Sequence, residues 1–192
     1  MIFLAVVLIL GACSPATSTA QPAGQVENYP LDTRTGIPAV DNVLAAVESG
    51  NPEELYALIN FTTAPCTTAD GLGGPPKCRE GEPEGTQLEV LPVIDSHGGF
   101  YRRNEMDNRL VIDVSALYAV YHVSETALNE AYYPPGEYIV FFVPRQNEPA
   151  LDLRITGGGI VRIDYHFDMS PESLQTLIVR DTSEVILAPK SR

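Results

Sequence analysis

The stretch from Ala150 to Phe167 constrains the fold most, because it reads with period two throughout. Leu151, Leu153 and Ile155 alternate with Asp152, Arg154 and Thr156. After Gly157-Gly158-Gly159, Val161, Ile163, Tyr165 and Phe167 alternate with Arg162, Asp164, His166 and Asp168. Successive side chains of a strand point to opposite faces, so the pattern predicts a hairpin with one apolar and one charged face. A turn of three glycines sets Ile155 opposite Val161 and Leu153 opposite Ile163, which places both apolar sets on one core. The charged face carries diagonal neighbours of opposite sign, Arg154 with Asp164 and Asp152 with Arg162, and reads as a solvated surface.

Helices precede this hairpin. Ile37-Pro38 opens a pattern in which Val40, Val43, Leu44 and Val47 form one apolar stripe, and Gly50 is placed to end it. Asn51-Pro52-Glu53-Glu54 then restarts a helix, with Asn51 as N-cap, Pro52 at the first helical position and Glu54 completing a capping box. Leu55, Leu58 and Ile59 supply its buried side. Thr86–Val93 and Phe100–Arg103 read as strands about the Asp95–Gly99 turn. Leu110–Val123 is one bent strand or a strand after a turn. Its part Leu117–Val123, like Glu137–Val143, is apolar on both faces, the mark of interior strands. Ser124–Glu130 reads as a single helical turn stopped by Tyr133-Pro134-Pro135-Gly136. Ser170-Pro171-Glu172 caps a last helix that buries Leu174, Leu177 and Ile178, and Glu184–Ala188 is a terminal edge strand. Two helices, a meander of strands and a final helix make an α+β fold with a mostly antiparallel sheet. The Gly-Asn corner between the helices of Val40–Ile59 is similar to the opening of SnoaL-like and related cone-shaped α+β domains. The likeness carries no catalytic motif, and no functional residue is taken from it.

The N-terminus speaks to address. Ile2–Leu10 is uninterruptedly apolar but only about half of the roughly 20 residues that span a bilayer as a helix, which fits the core of an export signal. A short transmembrane stub is the alternative. No Lys or Arg precedes the run, which points to a start codon upstream. The run closes in Leu10-Gly11-Ala12-Cys13, which resembles the lipobox of bacterial lipoprotein precursors. That resemblance implies removal of residues 1–12, acylation of Cys13 and a lipid-anchored protein facing the periplasm or the cell exterior. Ser14 implies sorting to the outer membrane in a bacterium with two membranes; with one membrane, the anchor is the cell membrane. Two or more acyl chains give stable anchoring. Residues 13–34, rich in Pro, Ser, Thr, Ala, Gly and Gln, read as a flexible tether of about twenty residues with an r.m.s. span of roughly 25 Å. Residues 35–189 form one domain.

With Cys13 lipidated, Cys66 and Cys78 remain. In an oxidising compartment they are expected to pair. Three glycines and two prolines between them exclude a regular element. Closing such a loop stabilises by about 3 kcal/mol on the chain-entropy model. Two sulfurs without a nearby His make an incomplete zinc site.

The chain has 12 Lys and Arg against 25 Asp and Glu, a net charge of −13. Such a surface repels phosphate backbones and anionic headgroups, so no nucleic-acid partner is expected and membrane contact comes from lipid. Solubility accounts for the charge; attraction of cations or of a basic partner is the sharper account. No Gly-x-Ser-x-Gly, His-Glu-x-x-His or Gly-Lys-Ser is present, and no catalytic residue, metal site or cofactor is assigned. Asp164, His166 and Asp168 beside Arg162 have the makings of a carboxylate–imidazole general base, or of an ordinary solvated strand face. His122 reads as a hydrogen-bonded, half-buried strand residue and His97 as an exposed turn residue. Tyr132-Tyr133, Tyr118 and Tyr121, with the Cys66–Cys78 loop, are the best candidates for a binding surface, though ordinary packing is the reading to beat. Two functions remain. One is a non-enzymatic binding or scaffolding lipoprotein, which a solid apolar core favours. The other is a small-molecule carrier or enzyme with a pocket between the helices and the concave sheet face, which a buried pocket holding His122 or a carboxylate favours.

Overall fold

The computed structural model describes residues 28–95, 97–106, 110, 112–124, 131–145, 149–167 and 182–190. Helix α1 (Pro38–Ser49) starts at Pro38 and ends at Gly50, whose φ of 63° suits a residue without a Cβ. Helix α2 (Pro52–Ala57) is capped by Asn51, whose side chain accepts from the Glu53 N–H at 3.0 Å. Glu54 reaches back to the Asn51 side-chain amide at 3.1 Å, whereas a capping box would use the Asn51 backbone N–H. That N–H already donates to Ser49 Oγ, also at 3.1 Å.

The strands are β1 (Thr62–Pro65), β2 (Gln87–Ile94), β3 (Gly99–Arg102), β4 (Val114–Val123), β5 (Tyr138–Pro144), β6 (Ala150–Thr156), β7 (Gly159–His166) and β8 (Thr182–Leu187), with the short helix α3 (Arg103–Met106) after β3. They form one eight-stranded sheet in the order β1-β2-β7-β6-β5-β4-β8, with β3 against β2. Neighbours are antiparallel except β2 with β7. Val90 pairs with both Thr62 and Arg102, and Val93 with both Gly99 and Ile163. Strands β1 and β7 therefore lie end to end along one side of β2, and β3 along the other. The fold is α+β with a mixed sheet; β4 and β5 are interior, as their two-faced apolar character requires.

The sheet has two covered faces. On the first, Val40, Val43, Leu44 and Val47 of α1 and Leu55 of α2 pack against Leu117, Val140, Phe142, Leu153, Ile155, Ile160 and Ile163. On the second, Ala119, Tyr121, Val123, Ile139 and Phe141 form a smaller cluster, with Tyr118 beside it.

Two readings of the chain are corrected. Tyr29 already joins the sheet, exchanging both backbone hydrogen bonds with Leu117 at 2.9 Å, so the fold begins within the expected tether, ahead of Thr35. The hairpin turn is the two residues Gly157 and Gly158, with φ of 58° and 80°, which suits the right-handed twist of the strands. Gly159 is in β7 opposite Thr156, Leu153 faces Ile163 as expected, and Ile155 pairs with Ile160 across a bulge instead of with Val161. Strand β1 and helix α3 are additions to the expected elements. The lipobox, Asp168, the Ser170 helix and most of the Ser124–Glu130 turn lie outside the described residues.

Candidate functional site

The charged face of the hairpin is buried, contrary to the expected solvated surface. Asp152, Arg154, Arg162 and Asp164 are 0–5 % exposed. The register sets like against like, Asp152 opposite Asp164 and Arg154 opposite Arg162. Such pairs repel across strands, and here the repulsion is cancelled along each strand and on a diagonal. Asp164 takes a two-pronged grip from Arg162 Nε and Nη2, both at 2.7 Å. Arg154 Nε donates to Asp152 at 2.9 Å, and Arg154 Nη2 lies 3.3 Å from Asp164. His166 Nε2 meets the other Asp152 oxygen at 2.8 Å.

This arrangement sets the proton affinities. Burial opposes charge on Asp152, but Arg154, His166 and Arg162 outweigh it and hold its carboxyl below the usual range. Burial and the neighbouring Asp152 push Asp164 up, against the pull of Arg162 and Arg154. Burial disfavours the His166 imidazolium, yet the hydrogen bond and charge of Asp152, with Asp164 behind it, raise its affinity for a proton. Chemically the quintet is an ion network closed on itself: among the described residues no buried side-chain nitrogen or oxygen lacks a partner.

The network also holds a piece of backbone. Arg162 Nη1 donates to the carbonyls of Tyr133 and Pro134 at 3.2 and 3.0 Å, and Arg154 Nη1 to that of Pro135 at 3.4 Å. Tyr133–Gly136 is thus a strap across β6 and β7 on the second face. Gly136 is essential to the approach, since a Cβ there would lie 3.0 Å from Arg154 Cβ and 3.2 Å from the Ile155 nitrogen.

At its far end the strap meets the disulfide loop. The Cys66–Cys78 bond is formed, with Cα atoms 4.9 Å apart. The Tyr133 ring lies 5.1 Å from that of Phe100, and its hydroxyl 3.5 Å from the Gly74 carbonyl. Tyr133, Phe100 and Cys78, with Leu72, Pro75 and Arg79, line a cleft of about 450 Å³. An adjoining cleft of about 350 Å³ shares Phe100, Arg102 and Glu105 and ends at Tyr165. Arg102 fixes the floor: it grips Glu82 at 2.7 and 3.0 Å and donates to the Lys77 carbonyl at 2.6 Å.

Of the residues singled out from the sequence, Tyr133, Cys78 and the loop that the disulfide closes line this cleft. Tyr118 and Tyr121 belong to the apolar cluster of the second face. Burial, with Tyr118 nearby, pushes the Tyr121 hydroxyl up to about 12, so it stays protonated. Tyr121 packs edge-on against Phe141 at 6.0 Å, and Phe141 lies 5.9 Å from His166. His122 is apart from Asp164 and His166: its register partner is Tyr138, whose ring it meets edge-on at 5.3 Å, and its Nδ1 lies 3.0 Å from the Val123 carbonyl. His97 is exposed in its turn. Among the described residues no cluster of His, Cys, Asp and Glu is suited to a metal ion. The space between the helices and the sheet is filled, with Val40, Val43, Leu44, Val47 and Leu55 all at most 3 % exposed.

Sequence reasoning missed Phe100, Arg102 and the burial of the hairpin's charged face. One signal for the last was available: Asp-x-Arg on one strand and Arg-x-Asp on the next make a charge-neutral square, and Pro134-Pro135-Gly136 supplies a stiff segment able to lie close over it.

Known proteins offer no template. No protein-family model, curated protein or solved structure matches this chain.

Proposed function

We propose that this chain is an extracytoplasmic lipoprotein, anchored through Cys13, whose α+β domain binds a partner without catalysis at the disulfide-end cleft. The observation that carries the reading is the Cys66–Cys78 bond closing the rim of a ring-lined cleft, a bond suited to the compartment that the lipobox resemblance implies. A second support is chemical. The interior beneath the helices is solid, and the hairpin's charged groups are consumed by one another, which leaves no reacting pair facing a cavity there. Placement adds a third. Tyr29, where the chain joins the fold, pairs with Leu117 of β4 toward the β8 end of the sheet, and the disulfide loop joins β1 to β2 at the other end.

Two experiments test it. In expressing bacteria, palmitate should label the protein, and Cys13→Ala or globomycin should abolish labelling and leave the precursor uncleaved; unchanged labelling would refute the anchor. A photo-crosslinker in place of Leu72, which is 77 % exposed at the cleft, should give a discrete adduct in cells. Adduct formation equal to that from a crosslinker at the exposed hairpin residue Thr156 would refute the cleft.

A further inference from the structure

The strap joins two features that the sequence keeps far apart, a half-buried histidine and an open cleft. Among the described residues the charged groups that act on His166 are Asp152 and Arg154 from β6 and Asp164 from its own strand, and from β5 the Phe141 ring lies 5.9 Å away. Asp152 is shared, one oxygen with His166 and the other with Arg154, so what it gives one cation it withdraws from the other. A neutral His166 keeps its Nε2–H on Asp152, and a further proton enters at Nδ1. That proton adds one positive charge to a site shielded from water, where little dielectric screening blunts it. The negative ends of three carbonyl dipoles, those of Tyr133, Pro134 and Pro135, already point at the two arginines.

We propose that the His166–Asp152 pair is a proton-sensitive latch on the disulfide-end cleft: a charged imidazole draws the Tyr133–Gly136 strap onto Arg154 and Arg162 and fixes the Tyr133 wall, and a neutral one loosens it. The prolines make the strap a stiff unit, because their φ is fixed and they carry no N–H of their own. Its movement is therefore transmitted to Tyr133, to the Phe100 ring and to Gly74 on the loop. The biological meaning of the latch rests on the reading of that cleft as the binding site, but its test needs no partner.

The test is an NMR titration of the full chain in detergent micelles between about pH 5.5 and 9, the range in which histidine changes charge. The His166 ring resonances should titrate with a midpoint above the ordinary value of about 6.5, and the amides of Gly73 and Gly74 should shift with that same midpoint. His166→Gln should flatten the amide titration, and His97→Gln should leave it intact. Tyr133→Ala should leave the His166 midpoint in place and uncouple the loop amides from it. Loop amides that do not titrate in the wild type, or that titrate unchanged in His166→Gln or Tyr133→Ala, would overturn the latch. Should His166→Gln fail to fold, the Tyr133→Ala arm decides alone. Failure of the Leu72 crosslink with an intact titration would instead remove the cleft's role as a binding site and leave the latch standing.

Discussion

At the scale of single residues, Asp152 is the most consequential side chain in the molecule. It is fully buried and ionised, and it binds Arg154 and His166 at once. Removing one member of a buried pair strands the other's charge, which costs about 3–5 kcal/mol. Asp152→Ala and Asp164→Ala should each lose that much in urea melts of the full chain, and a loss below about 0.5 kcal/mol would place them on a solvated surface. The histidine carries the pH dependence. Its proton affinity is raised on folding, so its stabilisation is complete below the unfolded value of about 6.5 and is lost as pH rises through the higher folded value. Wild-type stability should therefore fall as pH rises above about 6.5, and His166→Gln should flatten that slope; identical slopes would refute the assignment. The sequence revealed the partners but misjudged their environment. Alternation shows that Asp152, Arg154, Arg162 and Asp164 share a face; it is silent on what lies over that face. The cover comes from Tyr133–Gly136, distant in sequence from β7.

At the scale of elements, periodic segments were legible and their junctions less so. Helix α1, helix α2 and the β6–β7 hairpin follow from apolar spacing and from caps whose chemistry is local. The turn slipped by one residue, because Gly157-Gly158-Gly159 offers more glycines than a tight hairpin needs, and the bulge at Ile155 absorbs the difference. Strand β1 was hidden for another reason: its four residues are too few to show a period. Its existence depends on pairing with β2. Two predictions belong here. Ile163 is fully buried against the helices, so Ile163→Ala should cost about 2–5 kcal/mol in urea through lost methylenes and a cavity. Gly136→Ala should cost about 1–3 kcal/mol of overpacking on top of the left-handed penalty of its φ of 80°, because the new methyl presses on the β6 backbone. Gly157→Ala is the control: φ is 58° with nothing within 4 Å of the new atom, so it carries only the left-handed penalty of about 1–2 kcal/mol. Equal losses at the two sites, measured by thermal melts, would mean that the strap is not packed on Arg154.

At the scale of the whole molecule, the chain divides its fastening between the two edges of the sheet. At the β8 edge Tyr29 is held by Leu117 of β4, by the Ala188 carbonyl and by the Lys190 ammonium over its ring, 4.6 Å away. At the β1–β2 edge the loop from Cys66 to Thr86 has glycines and prolines in place of a core, and its order comes from cross-links. These are the disulfide, the Arg102 grip on Glu82 and Lys77, and Glu84 accepting from the Thr68 backbone and hydroxyl. The Glu84 bonds are exposed and individually weak against water, and those of Arg102 are part-buried, so the covalent link should dominate. Replacing both cysteines by alanine is therefore expected to lower stability by about 3 kcal/mol, the chain-entropy value for a loop of this length. Because the loop walls the cleft and lies outside the helix-covered core, the loss should be uneven in the folded state. Hydrogen exchange should quicken over residues 66–85 well before it does in α1 or β5, since local openings follow the weakest cooperative unit. The measurement is native-state exchange of the Cys66→Ala, Cys78→Ala double variant against wild type. Uniform acceleration across the fold would mean that the loop unfolds only with the core, and that the disulfide end is a structural part of the domain and not an appended binding rim.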